Sequence, residues 1–248
     1  MSVDHSSVSI LLGCYTKGMQ KRRRFSPRER VVISVIELTL VSVVLFVAGA
    51  IANKSLQFSY LLWNLFLAWL PLLIVLWLLK MLRVRHWSSW GALGVTLLWL
   101  LLLPNSFYMI SDFVHIQDVL RHNLLYDVVM FTSFIFTGVL LGFSGLYMVH
   151  AELRKRVSLR NSSTAIGIVL LLCSFAIYLG RDLRWNSWDV LVNPAGILFD
   201  LSDHFLHPFQ HGDMFTTTVS FFVLLGSLYV VGWQLGEATR NDKGRDLL

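Results

Sequence analysis

The chain has 248 residues, 55% hydrophobic and 15% charged, with a mean hydropathy of +0.62, a composition that excludes an ordinary soluble domain. Its formal charge of +6 does not point to nucleic acid, because the basic residues flank apolar stretches instead of gathering into a folded patch. A hydrocarbon core about 30 Å thick takes roughly 20 apolar helical residues to cross, since every backbone polar group must be satisfied within the segment.

Six stretches meet that requirement. The first 30 residues form a basic tail whose Lys21–Arg24 run suits an anionic inner leaflet at about 1 kcal/mol per charge. Leu11-Leu12-Gly13-Cys14 mimics a lipoprotein cleavage box, but no Lys or Arg precedes it and its apolar run is too short. The first span, Val31 to Ala52, is therefore expected to act as the insertion signal and stay in the mature chain. Its Glu37 lies on the inner side, within reach of Lys80 or Arg83.

The second span runs from Phe58 to Leu79 and carries Asn64 one to two turns below the outer surface, where it reads as interhelical glue. The third starts at Ser88 and reaches Leu103 after 16 residues, about 24 Å at 1.5 Å per residue, so it must continue through Pro104. Proline disfavours helix in the residue before it and lacks a donor, which predicts a kink that frees carbonyls for Asn105 to satisfy. If helix resumes, Tyr108, Asp112 and His115 share a face through i, i+4 and i, i+3 spacing. A carboxylate beside an imidazole can orient a base, relay a proton or ligate a metal. Equally, Asp112 can cap a helix while His115 faces water.

The fourth span, Leu124 to Val149, opens on Tyr126-Asp127, where Asp127 either complements the helix dipole or joins Asp112. Its Gly138, Gly142 and Gly145 offer a surface for close helix approach. His150 and Glu152 at its inner end read as ordinary boundary residues. The fifth span, Thr164 to Gly180, exits through Arg181 and Arg184, whose guanidinium groups suit an anion clamp with Asn186 and Asp189 beside them. The same arginines can instead pair with Asp112, Asp127 or Asp189, backed by a Trp185 and Trp188 belt.

Asn193-Pro194 supplies an N-cap and N1 pair for a short helix, Ala195 to Phe205, expected to lie in the interface. Asp200, Asp203, His204, His207, His211 and Asp213 have zinc-compatible chemistry but match no ligand spacing, so no metal or cofactor is assigned. The sixth span is Phe215 to Gly232. Cys14 and Cys173 fall in different environments and are not expected to pair.

Orientation follows from the connections. Seventeen Lys and Arg fall on one side: Lys17, Lys21 to Arg24, Arg28 and Arg30; Lys80, Arg83 and Arg85; Arg154 to Arg156 and Arg160; Arg240, Lys243 and Arg245. Only Lys54, Arg121, Arg181 and Arg184 fall on the other. The positive-inside rule then places both termini in the cytoplasm and the polar span exits outside, in a cell membrane. The expected architecture is an all-α polytopic transmembrane bundle of six spans plus the short interfacial helix, one domain over residues 31 to 235 between two cytoplasmic tails.

The strings Asn64 to Pro71, Pro104-Asn105 with Tyr108, Asp112 and His115, Tyr126-Asp127, and Tyr178 to Asp189 together resemble the bacterial integral membrane family known as domain of unknown function 1361. The likeness covers about residues 40 to 235, is most specific at the third and fifth span exits, and implies a multi-pass membrane protein without implying an activity. From the residues themselves three roles stand open. One is an outer-leaflet enzyme in which Arg181 and Arg184 hold a lipid phosphate or other anion while His115, oriented by Asp112, handles a proton. The others are a proton- or anion-coupled carrier and a structural subunit. Lipids are the expected partners, the anionic inner leaflet through the basic tail, with no nucleic acid.

Overall fold

The computed structural model describes residues 26–118, 124–181, 183, 185, 192–196, 199, 202 and 212–245. Six helices among them are long and apolar enough to cross a membrane: Pro27–Asn53, Tyr60–Met81, Trp90–Ile116, Leu124–Leu153, Leu159–Arg181 and Gly212–Ala238. With no strand among the described residues, the chain is an all-α, multi-pass membrane protein.

Helix α1 (Pro27–Asn53) starts on a Ser26 capping box, with Glu29 bonded back to the Ser26 amide, and stops at Lys54 in the left-handed conformation. Helix α2 (Tyr60–Met81) carries Pro71 inside it, and α3 (Trp90–Leu102) begins on the Ser89 cap. The third span then breaks as its proline requires. Leu103 separates α3 from α4 (Pro104–Tyr108), and a 3₁₀ helix, Met109–Asp118, completes it. Leu103 itself keeps helical torsions, φ −56° and ψ −39°, so the interruption is a tightening of the coil and not the extended residue expected before proline. Helices α5 (Leu124–Leu153), α6 (Leu159–Arg181) and α7 (Gly212–Arg245) follow.

Short connections alternate the direction of successive helices. One end of the bundle therefore collects the end of α1, the start of α2, the 3₁₀ helix, the start of α5 and the end of α6. The start of α1, the end of α5 and the start of α6 mark the opposite end.

Helix α5 is the central element, burying Phe131, Phe134, Leu141 and Leu146 completely. Its glycines make room for the broken third span. A Cβ on Gly138 would stand 2.7 Å from the Ser106 carbonyl oxygen, and one on Gly142 would stand 2.8 Å from the Phe107 ring. The expected packing role of this row is thus borne out at its first two members, where the neighbour is α4 itself. Ser106 completes the junction by donating from its hydroxyl to the Ala68 carbonyl at 2.9 Å. Such bonds hold the bundle at other points: Ser42 meets Thr137 at 3.0 Å, and Trp69 donates to Thr39 at 3.1 Å.

Candidate functional site

The end of the bundle at which the third span exits gathers polar groups from three helices. The 3₁₀ winding decides which of them face together. At three residues per turn, residues i and i+3 eclipse, so Asp112 and His115 lie on one face while Tyr108 does not. This corrects the expectation of a shared Tyr108–Asp112–His115 face, which assumed α-helical winding. Tyr108 belongs to α4 and packs instead toward α6, its ring 3.3 Å from where a Gly180 Cβ would sit.

Asp112 is 3% exposed. The Asn64 amide donates to both its carboxylate oxygens, at 3.3 and 3.0 Å, and among the described residues His115 and Arg181 stand close enough to act on it electrostatically. A carboxylate withdrawn from water in this way needs such partners, because burial of an unpaired charge is very costly. Arg181, the last residue of α6, donates from Nη1 to the Ser111 carbonyl oxygen at 2.9 Å and so is pinned to the residue before Asp112. His115 remains exposed, with its ring edge-on to Tyr60 at 5.3 Å between centroids.

The remaining expected site residues divide. Asp127 is buried in the first turn of α5 and lines a small recess with Asn53, Ser55 and Gly49, at the end of α1. Asn105 is half-buried within α4, next to Ser106, whose hydroxyl donates to the Ala68 carbonyl of α2. Arg184, Asn186 and Asp189 lie outside the described residues, as do Asp200, Asp203, His204, His207 and His211. Of the short helix after the fifth span, the start is described: Asn193 Oδ1 accepts from the Gly196 amide at 3.0 Å, the cap its sequence predicts. Among the described residues no group of three His, Cys, Asp or Glu is placed to hold a metal.

At the opposite end the structure corrects the reading of His150 and Glu152 as ordinary boundary residues. His150 is 3% exposed. Its Nδ1 meets the Tyr229 hydroxyl at 2.7 Å, its Nε2 meets Ser162 Oγ at 3.3 Å, and its ring lies 4.2 Å from that of Trp233. Glu152 is likewise buried, accepting from Lys155 at 2.6 Å and Arg156 at 2.7 Å. Its i, i+3 and i, i+4 spacing to those residues was a legible signal. That of His150 was not, since Tyr229 stands 79 residues away.

Although buried, Glu152 pairs with side chains that keep water: Lys155 is 60% and Arg156 34% exposed. Glu152→Gln is therefore expected to cost at most about 1 kcal/mol, checked by equilibrium unfolding in mixed detergent micelles.

A family model described as "Protein of unknown function (DUF1361)" matches residues 63–228, about two thirds of the chain. That stretch includes Asn64, Asp112, His115, Asp127 and Arg181, and it is narrower than the likeness expected from the motif strings. No curated protein and no solved structure matches this sequence.

Proposed function

The chain belongs to the DUF1361 family, whose description assigns no activity, and from its site we propose that it binds an anionic group at the membrane surface where the third and fifth spans exit, and handles a proton there. The observation that carries this reading is the Asp112 carboxylate, 3% exposed, clasped by Asn64 and flanked by His115 and Arg181. Arg181 spends one nitrogen on the Ser111 carbonyl, which holds the guanidinium in place while its remaining donors suit a carboxylate or phosphate. His115 is exposed beside Asp112, an arrangement in which the carboxylate orients the imidazole and the imidazole exchanges the proton with substrate. Asp127, in its own recess, Arg184, Asn186 and Asp189 complete the proposed set, with Asn64, Asn105 and Tyr108 as its polar frame.

The distribution of Lys and Arg supports placing this end outside the cytoplasm, with both termini inside, in a cell membrane. A substrate meeting the site there is an anionic lipid or a lipid-linked anion. The carrier reading has less support, because Trp99, Leu103, Phe107, Phe134 and Leu72 fill the centre of the bundle and are at most 1% exposed.

Titration of the protein in phosphatidylcholine nanodiscs with dihexanoyl phosphatidic acid tests this function. Binding is expected in the parent, weakened about tenfold in Arg181→Gln and retained in His115→Ala. No binding by the parent, or unchanged binding in Arg181→Gln, sinks the proposal.

A further inference from the structure

A groove enclosing about 480 Å³ runs between α1 and α7 with α5 as its floor, in the half of the bundle opposite Asp112. This volume lies within the range of about 300–1,000 Å³ that holds small-molecule ligands. Its walls are almost wholly apolar: Val31 from α1, Val139, Leu140 and Phe143 from α5, Val231 and Leu235 from α7. All three helices are long and apolar enough to cross the membrane, and the most apolar stretches of α1 and α7 are only 17% buried. The medium that reaches this groove is therefore lipid.

One end of the groove is cationic. Arg28 lines it there, 43% exposed, and stands 3.9 Å from Glu152, whose oxygens are already held at 2.6 and 2.7 Å by Lys155 and Arg156. Nearby, Arg154 lies 5.2 Å over Trp233, another wall residue, and pairs with Glu237 at 3.0 Å. Among the described residues, Arg28, Lys155 and Arg156 pair with Glu152 and Arg154 pairs with Glu237 at this end, and the Arg28 contact, at 3.9 Å, is the longest of these. Tyr147, Tyr229 and Trp233 lie at the same end, the residue types that sit at headgroup depth.

We propose that this groove is a specific site for one anionic phospholipid, an acyl chain lying along α5 between α1 and α7 and the phosphate held by Arg28. The site is separate from the Asp112 end and does not rest on its function. It also differs from adsorption of the basic tail to a charged surface, because the lipid enters between helices and its chain contributes to binding.

The test is native mass spectrometry of the full-length protein in a mild detergent after incubation with phosphatidylglycerol or with phosphatidylcholine of the same acyl chains. One phosphatidylglycerol is expected to stay bound per chain, with phosphatidylcholine retained about tenfold less. Arg28→Gln is expected to lower phosphatidylglycerol to the phosphatidylcholine level, and Leu140→Trp to reduce both. Arg28→Gln alters a half-exposed side chain, so with its helicity verified by circular dichroism it remains decisive even where Leu140→Trp misassembles. Equal retention of the two lipids, or Arg28→Gln without effect, overturns the proposal. So does a dimer that excludes lipid, or a crosslink from position 140 to the first 25 residues of the same chain.

Discussion

Gly138→Ala is expected to stop the bundle from assembling cleanly, at a cost at or above the roughly 1–3 kcal/mol typical of added methylenes in a packed core. The new methyl would stand 2.5 Å from Met109 Sδ and 2.7 Å from the Ser106 carbonyl oxygen. The sulfur is the far part of a flexible side chain and can swing away. The carbonyl cannot, because it belongs to α4, whose Ser106 side chain is bonded to Ala68 and whose Phe107 fills the space over Gly142. Relief therefore requires α4 to move as a body. Gly167→Ala is the matched control, since a Cβ there meets nothing within 4 Å and alanine favours helix by about 1 kcal/mol over glycine. Thermal unfolding with size-exclusion chromatography in detergent should show Gly138→Ala aggregated or strongly destabilised and Gly167→Ala at or above the parent. Equal behaviour of the two would mean that α4 does not press on α5 as described.

His150→Ala is expected to be the most damaging polar substitution, about 2–4 kcal/mol. Truncation removes a buried ring, leaving a cavity among Tyr229, Trp233 and Ser162. It also leaves the Tyr229 hydroxyl, 2.7 Å from Nδ1, without that partner in a region where water does not replace it. The contrast with Glu152→Gln is a matter of solvent access: the cations around Glu152 can turn to water, whereas Tyr229 is 8% and Ser162 0% exposed. Equilibrium unfolding of both variants under one condition tests the ordering. His150→Gln, which keeps a donor and an acceptor, should recover part of the loss, and its failure to do so would assign the effect to ring packing alone.

Much of the architecture was legible because membrane crossing imposes a length on every element. Six apolar stretches became six spanning helices, with α5 and α7 running beyond their expected inner ends to Leu153 and Arg245. At the end of α5 hydropathy stopped too early, because His150 and Glu152 continue the coil as buried polar residues. Pro104 announced a break and Asn193-Pro194 a cap, since both act through their own backbone chemistry. The glycine row was readable as a close-approach surface, but not that a broken helix would fill it.

The polar sites were only half legible. Asn64 reads as glue, and its amide does bridge α2 to the third span, through the Asp112 carboxylate. Asp112 and His115 remained neighbours because a separation of three leaves them about 60° apart in α winding and eclipsed in 3₁₀ winding, whereas Tyr108 at a separation of four was lost. His150 was missed for a different reason: its partners come from α6 and α7, and spacing within one helix says nothing of contacts that depend on tertiary packing.

The tight winding after Tyr108 has a mechanical consequence. A 3₁₀ coil rises about 2.0 Å per residue against 1.5 Å in an α-helix, so the ten residues Met109–Asp118 span about 5 Å more than they would if relaxed to α geometry. The same relaxation would swing His115 about 60° around the axis away from Asp112, since three steps of 100° fall short of a full revolution. The reach of this segment and the alignment of its acid and imidazole are therefore one variable, governed by pitch.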